Sequence, residues 1–141
     1  MYIPAKTTFI ALAALVAVGQ SGLVADASTL ATKEHSSLVR RGDGTFYNME
    51  GGYTACGEKH SDSEHYAAVA PSWFTTGNHN NDPICRKCAL VKGPKGQVKV
   101  HINDICPPCA RDSIDMTPAA FSQIADQADG RVSVSWEFTD C

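Results

Sequence analysis

The sequence predicts a small, mostly-β barrel stapled by disulfides. Short segments of period-two alternation recur between turn-forming residues, with one helical segment and no long crossover. All six cysteines fall between Cys56 and Cys141. The patterned part of the chain, residues 42–141, is 100 residues long, which suits one domain and no more.

The chain before it reads as export machinery. Lys6 precedes an apolar run from Phe9 to Val18, and Ala25-Asp26-Ala27 is a small-x-small cleavage site. The run is too short to cross a bilayer comfortably. Residues 1–27 are therefore expected to be a secretory signal peptide, which makes the protein extracellular and leaves it no membrane partner. Residues 28–41 are polar and aperiodic, a disordered linker or pro-segment, with Arg40-Arg41 as a dibasic processing position. Residues 42–141 hold eight Lys/Arg against thirteen Asp/Glu, a net charge of −5. Such a domain is a poor nucleic-acid binder, because neutralising phosphates supplies most of that affinity. It is expected to be a monomer.

The elements follow in order. Gly44-Thr45-Phe46-Tyr47 reads as a strand and Glu50-Gly51-Gly52-Tyr53 as a turn. Ala67-Ala68-Val69-Ala70 is a short buried run. Pro71-Ser72-Trp73-Phe74 reads as a helical turn that buries an aromatic, and residues 77–83 as a surface loop. Cys88-Ala89-Leu90-Val91 and Gln97 to Ile102 are strands joined by Gly93-Pro94-Lys95-Gly96; Val98, Val100 and Ile102 alternate with Lys99 and His101. One helix starts at Thr117, a competent N-cap, with Pro118 at its first position. Phe121, Ile124, Ala125 and Ala128 share a face, and Gly130 ends it. Val132, Val134 and Trp136 alternate along the last strand, with Trp136 in the core. His60, His65 and His79 read as surface residues.

Two Cys-x-x-Cys pairs, Cys85/Cys88 and Cys106/Cys109, stand seventeen residues apart, a spacing also seen in zinc ribbons. Export to an oxidising compartment favours three disulfides instead, so no metal and no cofactor are expected. Spacing alone does not choose the pairing. Cys106-Pro107-Pro108-Cys109 does not open a helix, as a redox dithiol normally does, and reads as a staple.

Taken in order, Gly44-Thr45-Phe46-Tyr47, Ala55-Cys56-Gly57, Ser72-Trp73-Phe74, Cys85-Arg86-Lys87-Cys88, Val98 to Asp104, Asp115-Met116-Thr117-Pro118-Ala119-Ala120-Phe121 and Gly130 to Trp136 resemble the double-psi β-barrel of expansin first domains, loosenins, barwin-like proteins and related glycoside hydrolases. The resemblance implies a six-stranded barrel with one or two short helices. It implies the pairs Cys56–Cys85, Cys88–Cys141 and Cys106–Cys109. It also implies a shallow groove in which Asp115 is the polysaccharide-site carboxylate and the counterpart of the hydrolases' general acid. Asp104 and the Thr45 hydroxyl would lie nearby. Tyr47 and Tyr53 would stack on sugar rings, and His101 would line the groove.

Hydrolysis of a glycosidic bond needs a second carboxyl group. In the resembling hydrolases the base follows closely after the Thr-x-Tyr strand. Here Asn48-Met49 stand in that place, and Glu50 is the nearest carboxylate. The expectation is a non-hydrolytic protein, not an enzyme, that binds cellulose, chitin or a related glycan and loosens it. Two alternatives remain. One is an inhibitor of cysteine proteases or an effector on the same barrel, with residues 78–83 as its contact loop. The other is a weak glycosidase or lytic transglycosylase using Asp115 as acid.

Overall fold

The computed structural model describes residues 38–141 apart from position 50. The expected signal peptide, the expected linker up to residue 37, and Glu50 lie outside the described residues. Six strands are present: β1 (Arg40–Phe46), β2 (Tyr66–Val69), β3 (Cys88–Lys92), β4 (Gln97–Ile105), β5 (Ile114–Met116) and β6 (Arg131–Thr139). They close into a barrel in the order β1-β5-β2-β4-β3-β6. The β1/β5 and β2/β4 pairs are parallel and the other four are antiparallel. This is the mostly-β, six-stranded barrel that the sequence predicts. Among the described residues, closure leaves every strand paired on both sides.

The period-two pattern sets the interior. Val98, Val100 and Ile102 of β4 point inward with Ala89 and Val91 of β3, and Ile114 and Met116 do so from β5. Trp136 of β6 is 1% exposed, and its indole Nε1 donates to the Asp112 carbonyl at 2.7 Å. A buried indole needs such a partner for its N–H. Three disulfides join Cys56 to Cys85, Cys88 to Cys141 and Cys106 to Cys109. Among the described residues no helix is long and apolar enough to cross a membrane.

Four local features differ from the sequence reading. The helix α1 spans only Pro118–Ser122. Its continuation is cut off by a tertiary contact: the Ile124 carbonyl accepts the Lys95 N–H at 2.8 Å, inside the β3–β4 turn. Phe121, Ile124 and Ala125 are still buried, but Ala128 is exposed in a separate 3-10 turn, Gln127–Asp129, closed by Gly130 at φ 66°. Ile114–Met116, one apolar–polar–apolar triplet too short to read as an element by itself, is a strand because it is clamped between β1 and β2. His60 is not a surface residue: its side chain is 11% exposed and stacks on Tyr66, with 3.5 Å between ring centroids.

The fourth difference concerns the dibasic pair. Strand β1 begins at Arg40, two residues before the expected start of the domain at Gly42, so both arginines lie in the barrel wall, opposite Trp136 and Ser135. The Arg40 guanidinium sits 4.6, 4.9 and 4.5 Å from the ring centroids of Trp73, Trp136 and Phe138. A protease needs an unpaired, extended segment in its cleft. We therefore expect the folded protein to resist cleavage after Arg41 while the reduced, unfolded chain is cut there. Intact-mass analysis after limited digestion reads this out, and rapid cutting of the folded form would contradict the ladder.

Asp82 pins the loop ahead of β3. Its carboxylate accepts the backbone N–H groups of Thr75 at 2.6 Å, Thr76 at 2.7 Å and Ile84 at 3.1 Å. Burial alone would raise its pKa; the backbone donors outweigh that and hold it at about 2. A carboxyl depressed in the folded state stabilises the fold above its unfolded pKa of about 3.9, and that contribution disappears as pH falls through the folded value. The melting temperature should therefore decline between about pH 4 and pH 2. The Asp82→Asn variant should be less stable at neutral pH and lose most of that slope. An unchanged slope in the variant would assign the acid sensitivity to other groups.

Candidate functional site

Strand register builds the site. Thr45 of β1 lies opposite Asp115 of β5, Asp115 opposite Ala68 of β2, and Ala68 opposite Asp104 of β4. Thr45, Asp115, Ala68 and Asp104 thus form a row across four adjacent strands. Ile114 and Met116 are fully buried, so Asp115 between them projects from the outer face.

A bulge completes the row. Ala67 pairs with Ile102 and Ala68 with Asp104, so Asn103 is skipped. Without that extra residue Asn103, not Asp104, would face Ala68; re-aiming a side chain is a common use of bulges. Asn103 itself is covered and only 1% exposed. Its Nδ2 donates to Glu58 Oε2 at 2.9 Å, and its carbonyl accepts the Cys56 N–H.

The two aspartates differ in their surroundings. Asp115 accepts the Thr45 hydroxyl at 2.6 Å. Burial raises the Asp115 carboxyl above the ordinary carboxylate range; the Thr45 hydrogen bond, Arg131 and the Met116 N–H pull it back in part. A half-buried carboxyl that holds its proton longer is what a proton donor or a hydroxyl-gripping group requires. Asp104 is occupied by the fold: Oδ1 accepts the N–H groups of Ala55 and Ile105, both at 2.8 Å, and Oδ2 accepts the Tyr47 hydroxyl at 3.2 Å. Burial, then the Asp104 charge, pushes the Tyr47 phenol far upward, so it stays a neutral donor.

Asp115 lines an open groove of about 620 Å³ that also holds Asp43, Thr45, Cys109, Asp129 and Arg131. Arg131 donates to Asp43 at 2.7 Å. These flanking charges escaped the sequence reading, because only the β1/β6 pairing, Thr45 opposite Arg131, brings them to the groove. Ser113, also in the groove, accepts the Asp43 N–H.

The other residues expected at the site are dispersed. Tyr47 reaches Asp104 rather than standing free. Tyr53 is 76% exposed, with Lys59 Nζ 4.6 Å from its ring centroid. His101 is not brought to Asp115: its Nε2 meets the Cys85 carbonyl at 3.0 Å and its ring leans on Tyr66. Asn48 and Met49, where the hydrolases' base would stand, are both tied to Asp62, through the Asn48 Nδ2 and the Met49 N–H. Asp62 is a carboxylate near that position that the sequence reading passed over. Its hydrogen bonds to this turn make it an anchor.

A family model described as lytic transglycolase matches residues 39–136. The chain is 37% identical over 95 residues to a papain inhibitor of Streptomyces mobaraensis, covering 65% of this chain and 66% of that protein. A solved Streptomyces papain inhibitor superposes with a TM-score of 0.68 at 35% identity, covering 72% of this chain and 94% of that one. The chain is also 39% identical over 46 residues to Expansin-YoaJ of Bacillus subtilis (strain 168), covering 33% of this chain and 20% of that protein. A Clavibacter michiganensis expansin mutant solved in complex with cellohexaose shares the fold, with a TM-score of 0.63 at 22% identity, over 72% of this chain and 50% of that one.

Proposed function

Because the chain belongs to the lytic transglycolase family of double-psi β-barrels, we propose that it is a secreted protein that binds cell-wall polysaccharide in the Asp115 groove and loosens it without hydrolysis. The observation that carries this is the inequality of the two aspartates. Asp115 is in the groove with a raised pKa, whereas Asp104 is consumed by two backbone amides and a phenol. Asp104 has both oxygens engaged by the fold and Asp43 is paired with Arg131, so neither is placed to activate water opposite Asp115; Asp129, the other carboxylate of the groove, sits exposed on the 3-10 turn Gln127–Asp129. Such a site protonates or grips a sugar oxygen but does not activate water. Three disulfides and the N-terminal apolar run support export.

Retention on cellulose, chitin and peptidoglycan, with a reducing-end assay on soluble glucans, tests this. Binding without new reducing ends is the expected result. Reducing ends that vanish in Asp115→Asn would make the protein a glycosidase, and no retention on any of the three would sink the glycan reading.

A second reading has its own support in the similarity to papain inhibitors. The loop expected to contact a protein, residues 78–83, is held rigid by Asp82 and by the Cys56–Cys85 bond beside it. A preorganised loop loses little entropy on binding. Inhibition of papain, lost on Asp82→Ala and kept on Asp115→Asn, would establish this function.

A further inference from the structure

The wall of the groove contains a second potential chemistry. The Sγ atoms of Cys106 and Cys109 and a carboxylate oxygen of Asp115 all lie within 4.8 Å of one another. Cys106 is buried, whereas Cys109 and Asp115 are half-buried and line the same open groove. The Thr45 hydroxyl fixes the Asp115 carboxylate in place. In the oxidised protein the two sulfurs are spent on each other. Their bond spans a sequence separation of only 3, against 29 and 53 for the other two. Chain entropy therefore protects it least.

We propose that reduction of the Cys106–Cys109 bond converts this corner of the groove into a site for a divalent cation that favours sulfur, such as Zn²⁺. The ligands are the two thiolates and the Asp115 carboxylate. The disulfide takes two electrons and two protons from an external thiol or phosphine reductant, giving two thiols. The metal then displaces both thiol protons to solvent. Two sulfurs and one oxygen give three protein ligands, and the groove leaves a fourth position for water, the arrangement of open zinc sites. Cys-x-x-Cys is a usual spacing for two such ligands. The fold is held meanwhile by the Cys56–Cys85 and Cys88–Cys141 bonds. Occupancy ties up Asp115, so the reduced, metal-loaded protein has its groove carboxylate blocked. Asp43 holds Arg131 aside by the ion pair at 2.7 Å, which keeps that cation off the metal.

The test uses the whole secreted chain and Cd²⁺ as the probe, and it is independent of any glycan or protease assay. After brief treatment with a phosphine under native conditions, one portion is alkylated for mass mapping and a second, unalkylated portion is titrated with Cd²⁺ and read through the sulfur-to-cadmium ultraviolet band. Label on Cys106 and Cys109 alone, one Cd²⁺ per reduced chain and none per oxidised chain are expected. The Cys106→Ser/Cys109→Ser double variant should give no band. Asp115→Asn should keep the band but bind about tenfold more weakly or worse, as loss of a ligand demands. Equal Cd²⁺ affinity in wild type and Asp115→Asn would overturn the proposal. So would first label on any of the other four cysteines with Cys106–Cys109 intact.

Discussion

Replacing Cys88 and Cys141 together by serine is expected to lower the unfolding free energy by about 4 kcal/mol. The same change at Cys106 and Cys109 is expected to cost about 2 kcal/mol; both figures follow from loop-closure entropy. The two bonds close loops of very different length, with sequence separations of 53 and 3. Their places in the fold point the same way. Cys88 opens β3 and is buried, and it pairs with Thr139 at the end of β6. The bond to Cys141 thus fastens the terminal strand to the strand beside it. Lys99 Nζ also donates to the carbonyls of Asp140 and Cys141 at that end. A domain of this size is stable by about 5–15 kcal/mol, so the first loss is a large part of the whole. Urea titration of the two double variants measures both. An equal or greater loss at Cys106/Cys109 would show that the short staple does more than close its loop.

How much of this was legible in the sequence depended on whether local pattern or register decided the outcome. Val98, Val100 and Ile102 announced β4, because a half-buried strand must alternate. Trp136 announced its own burial for the same reason. The resemblance supplied Asp115 and the expected disulfide pairs. The site itself is a property of register. Nothing in the residues 102–104 declares that Asn103 will be skipped, yet that bulge is what brings Asp104 beside Ala68. Likewise Arg131 and Thr45 are 86 positions apart in the chain and meet only because β6 returns beside β1. The short α1 has a similar cause. Its apolar face was readable, but the Lys95 N–H that takes the Ile124 carbonyl comes from a distant turn. Where a tertiary hydrogen bond competes with a local one, periodicity fixes the buried face and not the length of the element.

The Asp115→Asn variant is expected to separate grip from chemistry without disturbing the fold. Asparagine keeps an oxygen to accept the Thr45 hydroxyl and keeps the volume, so the row from Thr45 to Asp104 should survive. The carboxyl is raised by burial above its ordinary range. A raised acid costs stability where it is ionised, above its folded pKa, and that cost disappears as pH falls below it. The variant should therefore melt no lower than wild type at neutral pH, and any advantage should shrink on acidification. Glycan retention should weaken about tenfold to a hundredfold, the value of a charge-assisted hydrogen bond at about 1.5–3 kcal/mol. If Asp115 instead works as a general acid, turnover should fall about a hundredfold to ten-thousandfold while binding changes little. A variant that retains glycan and loosens it as wild type does would remove Asp115 from the mechanism. A variant that melts well below wild type at neutral pH would mean that its ionised carboxylate holds the barrel together through the Thr45 hydroxyl, the Met116 N–H and Arg131.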